Sequence, residues 1–255
     1  MSDIKFCHVT FGYQISNPVL VDLNFDIEKN TTTIVLGKNG SGKSTLLKLI
    51  MRFETPSHGE IYLNNKIINQ YSILEKSKIL AYVGQNVYDQ FDFTVKDYLL
   101  FAVTNSLTLI ETPKEEHIIR VSQYVNRFGI DHLLDKRMDR LSGGEKQIVM
   151  ICRAFIQESK AIILDEPLSA LDFVNQNRIL NLLKEISNQD KTIILTTHNP
   201  NHALYLNAKV IFISNKEIIA DGNARDVLNL QLLNKVYGNT VGLSKDHSYD
   251  EFSVN

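Results

Sequence analysis

Hydrophobic and polar positions follow two rhythms along this chain. From residue 4 to residue 36 they alternate as in half-buried strands, most clearly at Leu23, Phe25 and Ile27, and the stretch closes on an apolar run, Thr33-Ile34-Val35-Leu36. A helical pattern follows, with Leu46, Leu47, Leu49 and Ile50 on its apolar side. Gly59 to Leu63 and Lys66 to Ile68 then predict a hairpin, because the Asn64-Asn65 turn between them tolerates positive φ. Ile79 to Val83 predicts a further short strand.

From about residue 94 to 157 the period changes to that of a helix. Thr94 and Asp97 form a capping-box start, and Ile118, Val121, Val125 and Phe128 recur at helical spacing. Strands return at Ala161 to Leu164 and Thr192 to Leu195, separated by a helix carrying Leu180, Leu183 and Ile186, the rhythm of a parallel sheet. A last hairpin, Val210 to Ile213 and Glu217 to Ala220 around Asn215-Lys216, precedes a helix near Val227 to Val236. The expected organisation is one α/β domain over residues 1–243, with a core over about 1–90 and 158–243, a helical insertion over about 91–157, and a loose polar tail over 244–255.

Composition narrows the picture only a little. With 44% apolar residues the 255-residue chain can build a real core. Its 27 basic residues against 29 acidic ones are scattered rather than striped, which argues against nucleic acid as a partner. Cys7 and Cys152 read as small buried hydrophobes rather than a disulfide or metal pair. No run approaches the roughly 18 apolar residues of a membrane span, and the N-terminus lacks a signal-peptide pattern. The chain is therefore expected on the cytoplasmic side, with any membrane contact made through a partner.

The candidate chemistry begins at Gly37-Lys38-Asn39-Gly40-Ser41-Gly42-Lys43-Ser44-Thr45, which joins the apolar strand to the first helix. In a strand, glycine loop and helix of this kind (a P-loop), backbone N–H groups wrap a polyphosphate seated on the positive end of the helix. Lys43 would reach the β- and γ-phosphates, and Ser44 would place its hydroxyl on Mg²⁺. A second feature is the apolar strand Ala161 to Leu164 ending in Asp165-Glu166-Pro167, two carboxylates that a core strand avoids unless something at its tip uses them. Asp165 would hold a phosphate-bound Mg²⁺ through water, and Glu166 would be the general base for hydrolysis of the γ-phosphate.

The third feature is Leu141-Ser142-Gly143-Gly144-Glu145. Ser142 with Glu145 is a capping box, which leaves the two glycines unexplained. With the flanking Lys146 and Gln147, the segment resembles the signature motif of ATP-binding-cassette (ABC) ATPases, and it stands between the P-loop and the Asp-Glu strand as that family requires.

The resemblance runs from Ile4 to about Val236 and implies a P-loop NTPase fold. A RecA-like α/β core would carry an N-terminal antiparallel β-subdomain and an inserted α-helical signature subdomain. ATP and Mg²⁺ are the implied cofactors, with Gly37, Asn39, Gly40, Ser41, Gly42, Lys43, Ser44 and Thr45 around the phosphates. Tyr13 matches the aromatic that stacks on adenine, with Phe11 a close rival. Gln85 matches the glutamine that touches Mg²⁺ and the attacking water, Asp172 the aspartate at the dimer seam, and His198 the histidine that contacts the γ-phosphate. Ser142, Gly143, Gly144 and Glu145 would close the ATP site of a second ABC subunit, a further copy or a paralogue.

Phe91-Asp92-Phe93-Thr94-Val95-Lys96-Asp97, Leu171 to Gln176 and Thr196 to Ala203 are similar to importer ATPases for iron(III) siderophores, haem, cobalamin and molybdate. Such systems add a polytopic permease and an extracytoplasmic binding protein. Lys38, Gly84 and Leu168 depart from the residues usual there without removing a phosphate or metal ligand, and Phe101-Ala102-Val103-Thr104 replaces the usual Met-Gly-Arg. A soluble cassette acting on ribosomes or nucleic acid is the alternative class. Its members carry paired cassettes or long insertions, and this chain has neither.

Overall fold

The computed structural model describes residues 2–14, 16–85, 92–106, 114–187, 190–238, 241–246 and 249–254. Phe91, part of one importer-like stretch, lies outside them. The chain divides into two compact units, residues 1–70 with 182–255 and residues 71–181. The boundaries near 91 and 157 expected for the helical insertion both fall inside the second unit.

In the first unit, β1 (Ser2–Phe11) pairs antiparallel with β2 (Leu20–Glu28). Leu23, Phe25 and Ile27 are buried along β2, as the alternation predicts, Leu20 is buried out of that phase across a register shift, and Phe25 stacks on its partner Phe6 at 4.4 Å. β3 (Thr32–Leu36) is buried at all five positions and leads into the glycine loop and α1 (Lys43–Ile50). β4 (His58–Leu63) joins the other edge of β1, and the short β5 (Lys66–Ile67) completes the order β2-β1-β4-β5. β1 changes register between Cys7 and Thr10, and there Gly59, at φ 79°, runs so close that a Cβ would lie 2.2 Å from the His8 carbonyl oxygen.

The second unit opens with α2 (Ile73–Ile79), absent from the sequence-based reading, which expected only the strand after it. Ser72 and Glu75 form its capping box. β6 (Leu80–Val83) pairs in parallel with β7 (Ala161–Leu164). Between them come α3 (Val95–Leu100), α4 (Glu115–Phe128) and α5 (Gly143–Ile156). The expected Thr94–Asp97 capping box starts α3. The apolar face of α4 is displaced by one residue from the expected one: Ile118 is 56% exposed, while His117 is buried in line with Val121, Val125 and Phe128. The Lys114 N–H donates to His117 Nδ1 at 3.0 Å, so the ring serves as the N-terminal cap partner. Phe128 and Phe155 meet at 5.7 Å where α4 packs on α5, and Cys152 is fully buried beside them. Cys7, also expected inside, is only half-buried.

α6 (Phe173–Ser187) carries the chain back to the first unit, where β8 (Thr192–Thr197), α7 (Pro200–Tyr205), β9 (Lys209–Ser214) and β10 (Glu217–Asn223) follow. β3 lies between β8 and β9 and is parallel to both, and β10 is antiparallel to β9. The single helix expected near 227–236 is two, α8 (Ala224–Val227) and α9 (Leu230–Tyr237). The stretch expected as a loose tail from residue 244 belongs to a hairpin of β11 (Val241–Asp246) and β12 (Tyr249–Val254).

Candidate active site

The first unit presents the glycine loop at the end of β3. Gly37 is buried, Lys38, Asn39 and Gly40 are exposed, and Gly40 sits at φ 79° with open space where a Cβ would stand. Gly42, at φ 103°, starts α1 without any side-chain cap, so the loop rather than a side chain flanks the first-turn N–H groups. Lys43 is 5% exposed, and its Nζ donates to the carbonyl oxygens of Gly37 at 2.9 Å and Lys38 at 3.2 Å. That ammonium holds the loop closed on itself at a position facing the loop interior. Ser41 Oγ is buried without a hydrogen-bond partner, and a Cβ on Gly37 would come within 2.4 Å of it. An orphaned buried hydroxyl costs about 1–3 kcal/mol. A phosphate oxygen seated in the loop offers it an acceptor, so these residues fit a polyphosphate.

Tyr13 and Phe11, the two candidate aromatics, differ in exposure. Phe11 is 6% exposed and packs edge-to-face against Tyr13 at 5.1 Å, whereas Tyr13 is 56% exposed. The Tyr13 hydroxyl lies 3.5 Å from Thr45 Oγ1 and accepts from Lys48 Nζ at 3.3 Å, which ties the ring to α1. Of the two rings, Tyr13 has the surface a base could stack on.

His198 follows β8 on the same unit and is exposed. Around it Asn199 caps α7, Asn199 N–H donates to Thr197 Oγ1 at 3.2 Å, Thr197 Oγ1 meets His202 Nδ1 at 3.0 Å, and the Tyr237 hydroxyl donates to the His198 carbonyl at 3.2 Å. Sequence reasoning singled out His198 and missed this frame, because Tyr237 is 39 residues away.

The second unit carries the carboxylates and the signature. Asp165 is 3% exposed, and its N–H donates to the Val83 carbonyl at 2.9 Å, which fixes the end of β7 against β6. Burial, reinforced by the Asp165 charge, pushes the Tyr82 hydroxyl up to about 12. Glu166 has φ 48° immediately before Pro167, a left-handed conformation that a residue preceding proline avoids. Its carbonyl accepts from Ser169 N and Oγ at 3.2 and 2.9 Å, and Gln176 Nε2 donates to Leu168 and Leu171 carbonyls at 3.1 and 3.0 Å. Leu168, one of the unusual residues, is 3% exposed and fills the inside of this turn. Strain held by surrounding bonds is a mark of functional turns. Gln85 is exposed just past β6.

Ser142 and Glu145 form the expected reciprocal cap at 3.2 and 2.8 Å, and Lys136 Nζ donates to the second Glu145 oxygen at 3.1 Å. The Ser142 N–H and then Lys136 hold the Glu145 carboxyl below its usual range. The glycines separate in role: a Cβ on Gly144 would meet the Ala170 carbonyl at 3.3 Å, whereas one on Gly143 would meet nothing. Packing therefore accounts for Gly144 and leaves Gly143 bare at the start of α5. Asp172 is exposed and starts α6, accepting from Asn175 N and Nδ2 at 2.9 Å each.

The family model described as ABC transporter matches residues 20–169. An uncharacterised ABC transporter ATP-binding protein of Haemophilus influenzae is 33% identical over 94% of this chain and 91% of its own length. A Helicobacter pylori protein named for iron chelatin transport is 31% identical over 89% of this chain and 90% of its own length. A molybdate import ATP-binding protein of Haemophilus influenzae is 32% identical over 89% and 85%. A solved metal-chelate type ABC transporter in an inward-facing conformation superposes with a TM-score of 0.83 at 28% identity, covering 100% of this chain and 98% of that one.

Proposed function

Because the chain belongs to the ABC transporter family and is an ATPase of that family, we propose that it energises uptake of an iron(III)-siderophore or related metal chelate through a separate permease. The observation that carries this reading is the likeness, over nearly whole chains, to a relative named for iron chelatin transport and to a metal-chelate type transporter. The similarly placed molybdate relative supports a second cargo reading, an oxyanion.

Each side chain takes a role in the proposal. Tyr13 stacks on the adenine ring, and the Gly37–Thr45 loop N–H groups with Lys43 bind and orient the phosphates. Ser44, Gln85 and Asp165 are oxygen donors suited to Mg²⁺, which when bound neutralises phosphate charge. Glu166 takes the proton of the attacking water, and His198 orients the γ-phosphate. Ser142 and the bare Gly143 turn of a second subunit close over the γ-phosphate, with Glu145 and Gly144 shaping that turn and Asp172 at the seam. Loss of the γ-phosphate removes the charge that bridges the two subunits, so hydrolysis becomes a separation that a permease can read.

Among the described residues no helix is long and apolar enough to cross a membrane, so the proposal places the chain at the cytoplasmic face of a permease, in a system that includes an extracytoplasmic binding protein. The test is to express the tagged Glu166→Gln chain in its own cells, trap it with ATP and identify what co-purifies from gently solubilised membranes. A polytopic permease supports the importer, and uptake of labelled ferric siderophore against labelled molybdate then separates the cargoes. Ribosomes or nucleic acid without a membrane protein would overturn it.

A further inference from the structure

The chain's last hairpin is joined to the segment that carries His198. Asn201, in the first turn of α7, exchanges two hydrogen bonds with the backbone of Phe252 in β12: its Nδ2 donates to the Phe252 carbonyl at 3.0 Å, and its Oδ1 accepts the Phe252 N–H at 2.9 Å. A side-chain amide is the group that can do both, since it carries a donor and an acceptor at the spacing of a peptide bond. Asn201 thus engages β12 as one further residue of a strand ladder. The hairpin is held internally by antiparallel pairing from Val241↔Val254 to Asp246↔Tyr249.

A second tie reaches His198 from α9. The Tyr237 hydroxyl donates to the His198 carbonyl at 3.2 Å, and the Tyr237 ring lies 6.1 Å from Phe212 in β9. Between the two ties, Asn199 Oδ1 accepts the Asn201 N–H at 3.0 Å, and Asn199 Nδ2 lies 3.3 Å from His202 Nε2. The 198–201 segment is therefore held by residues after position 236 at its two ends, at His198 through the carbonyl and at Asn201 through the side chain, while His198 stays exposed.

We propose that Tyr237 and Asn201, the latter through the C-terminal hairpin, are positioning residues for His198, so that the end of the chain sets the rate of ATP hydrolysis without taking part in ATP binding. The inference rests on the reading of His198 as the γ-phosphate residue. Orientation is where such residues act: a misplacement of about 1 Å can cost on the order of 100-fold in rate. The Tyr237 tie acts on the His198 carbonyl itself and the Asn201 tie anchors the first turn of α7 three residues on, so their loss lets the imidazole wander from the phosphate while the glycine loop keeps its grip.

The test uses the full-length chain with Mg-ATP, comparing Tyr237→Phe, Asn201→Asp, His198→Ala and the doubles Tyr237→Phe/His198→Ala and Asn201→Asp/His198→Ala. Tyr237→Phe keeps the ring and deletes the hydroxyl, and Asn201→Asp keeps the acceptor and deletes the donor. Each single tie variant is expected to lower kcat on the order of tenfold with KM for ATP within about twofold, and each double to be no slower than His198→Ala alone. Unchanged kcat in both tie variants beside an impaired His198→Ala would overturn the positioning role and leave the His198 reading standing. Full turnover in His198→Ala would overturn that reading and the inference with it. Doubles slower than His198→Ala in proportion to the tie effect would place the ties on another route and reject the proposal.

Discussion

At the scale of single residues, the site's chemistry rests on groups held in costly states. Lys43 keeps its ammonium nearly out of solvent because two loop carbonyls satisfy it, and Glu166 keeps a left-handed φ before proline because Ser169 and Gln176 lock the following turn. The two should fail differently. On the proposed reading Lys43→Ala removes a charged partner of the phosphates, so ATP affinity should fall about 10-fold or more, from a loss of about 1.5–3 kcal/mol. Glu166→Gln should leave affinity intact and lower turnover roughly 10²–10⁴-fold. Calorimetric titration with ATP beside a phosphate-release assay separates them, and unchanged affinity in the first or substantial turnover in the second contradicts the assignment. Lys43 and Glu166 were both singled out from motif and spacing, and the proposal rests on them. The orphaned Ser41 hydroxyl and the burial that separates Phe11 from Tyr13, the ring the sequence already put first, were not legible, because burial of one hydroxyl or one ring depends on what folds over it.

At the scale of elements, the start of α5 is the most exacting piece. Gly144→Ala places a methyl 3.3 Å from the Ala170 carbonyl, so its Tm should lie below that of Gly143→Ala. Gly143→Ala meets open space and should hold or raise Tm, since alanine favours a helix by up to about 1 kcal/mol over glycine. Differential scanning calorimetry checks both. Glu145 supplies a pH signature: with its carboxyl held below the usual range, its contribution is present above the ordinary carboxylate pKa and is lost as pH falls through the lowered value. The acid limb of thermal stability should therefore be shallower in Glu145→Gln, and equal limbs would mean that the cap does not depend on the charge. Capping boxes at α3 and α5 were readable because their partners are three residues apart. The displaced face of α4 was not, since His117 passes for a polar surface residue until its ring is seen capping the Lys114 N–H.

At the scale of the whole molecule, the proposed cycle joins the glycine loop of one cassette to the signature of a second, and this sequence holds one of each. In sedimentation, the Glu166→Gln chain with ATP should run as a dimer, and adding Ser142→Arg should return it to monomer; dimers that persist would reduce the signature to a helix cap. Sequence by itself determined the family, the glycine loop between β3 and α1 and the Asp165-Glu166 pair after β7, because those depend on local period and on residues adjacent in the chain, but it did not yield α2, α7 or the break between α8 and α9. Tertiary structure alone decided which glycine is bare, which ring is exposed, and that the polar end of the chain is a hairpin tied to the His198 segment. Those facts depend on partners such as Gly144 with Ala170, Tyr237 with His198 and Asn201 with Phe252. Contacts between residues dozens of positions apart leave no period in the sequence, so they become visible only when the chain is folded.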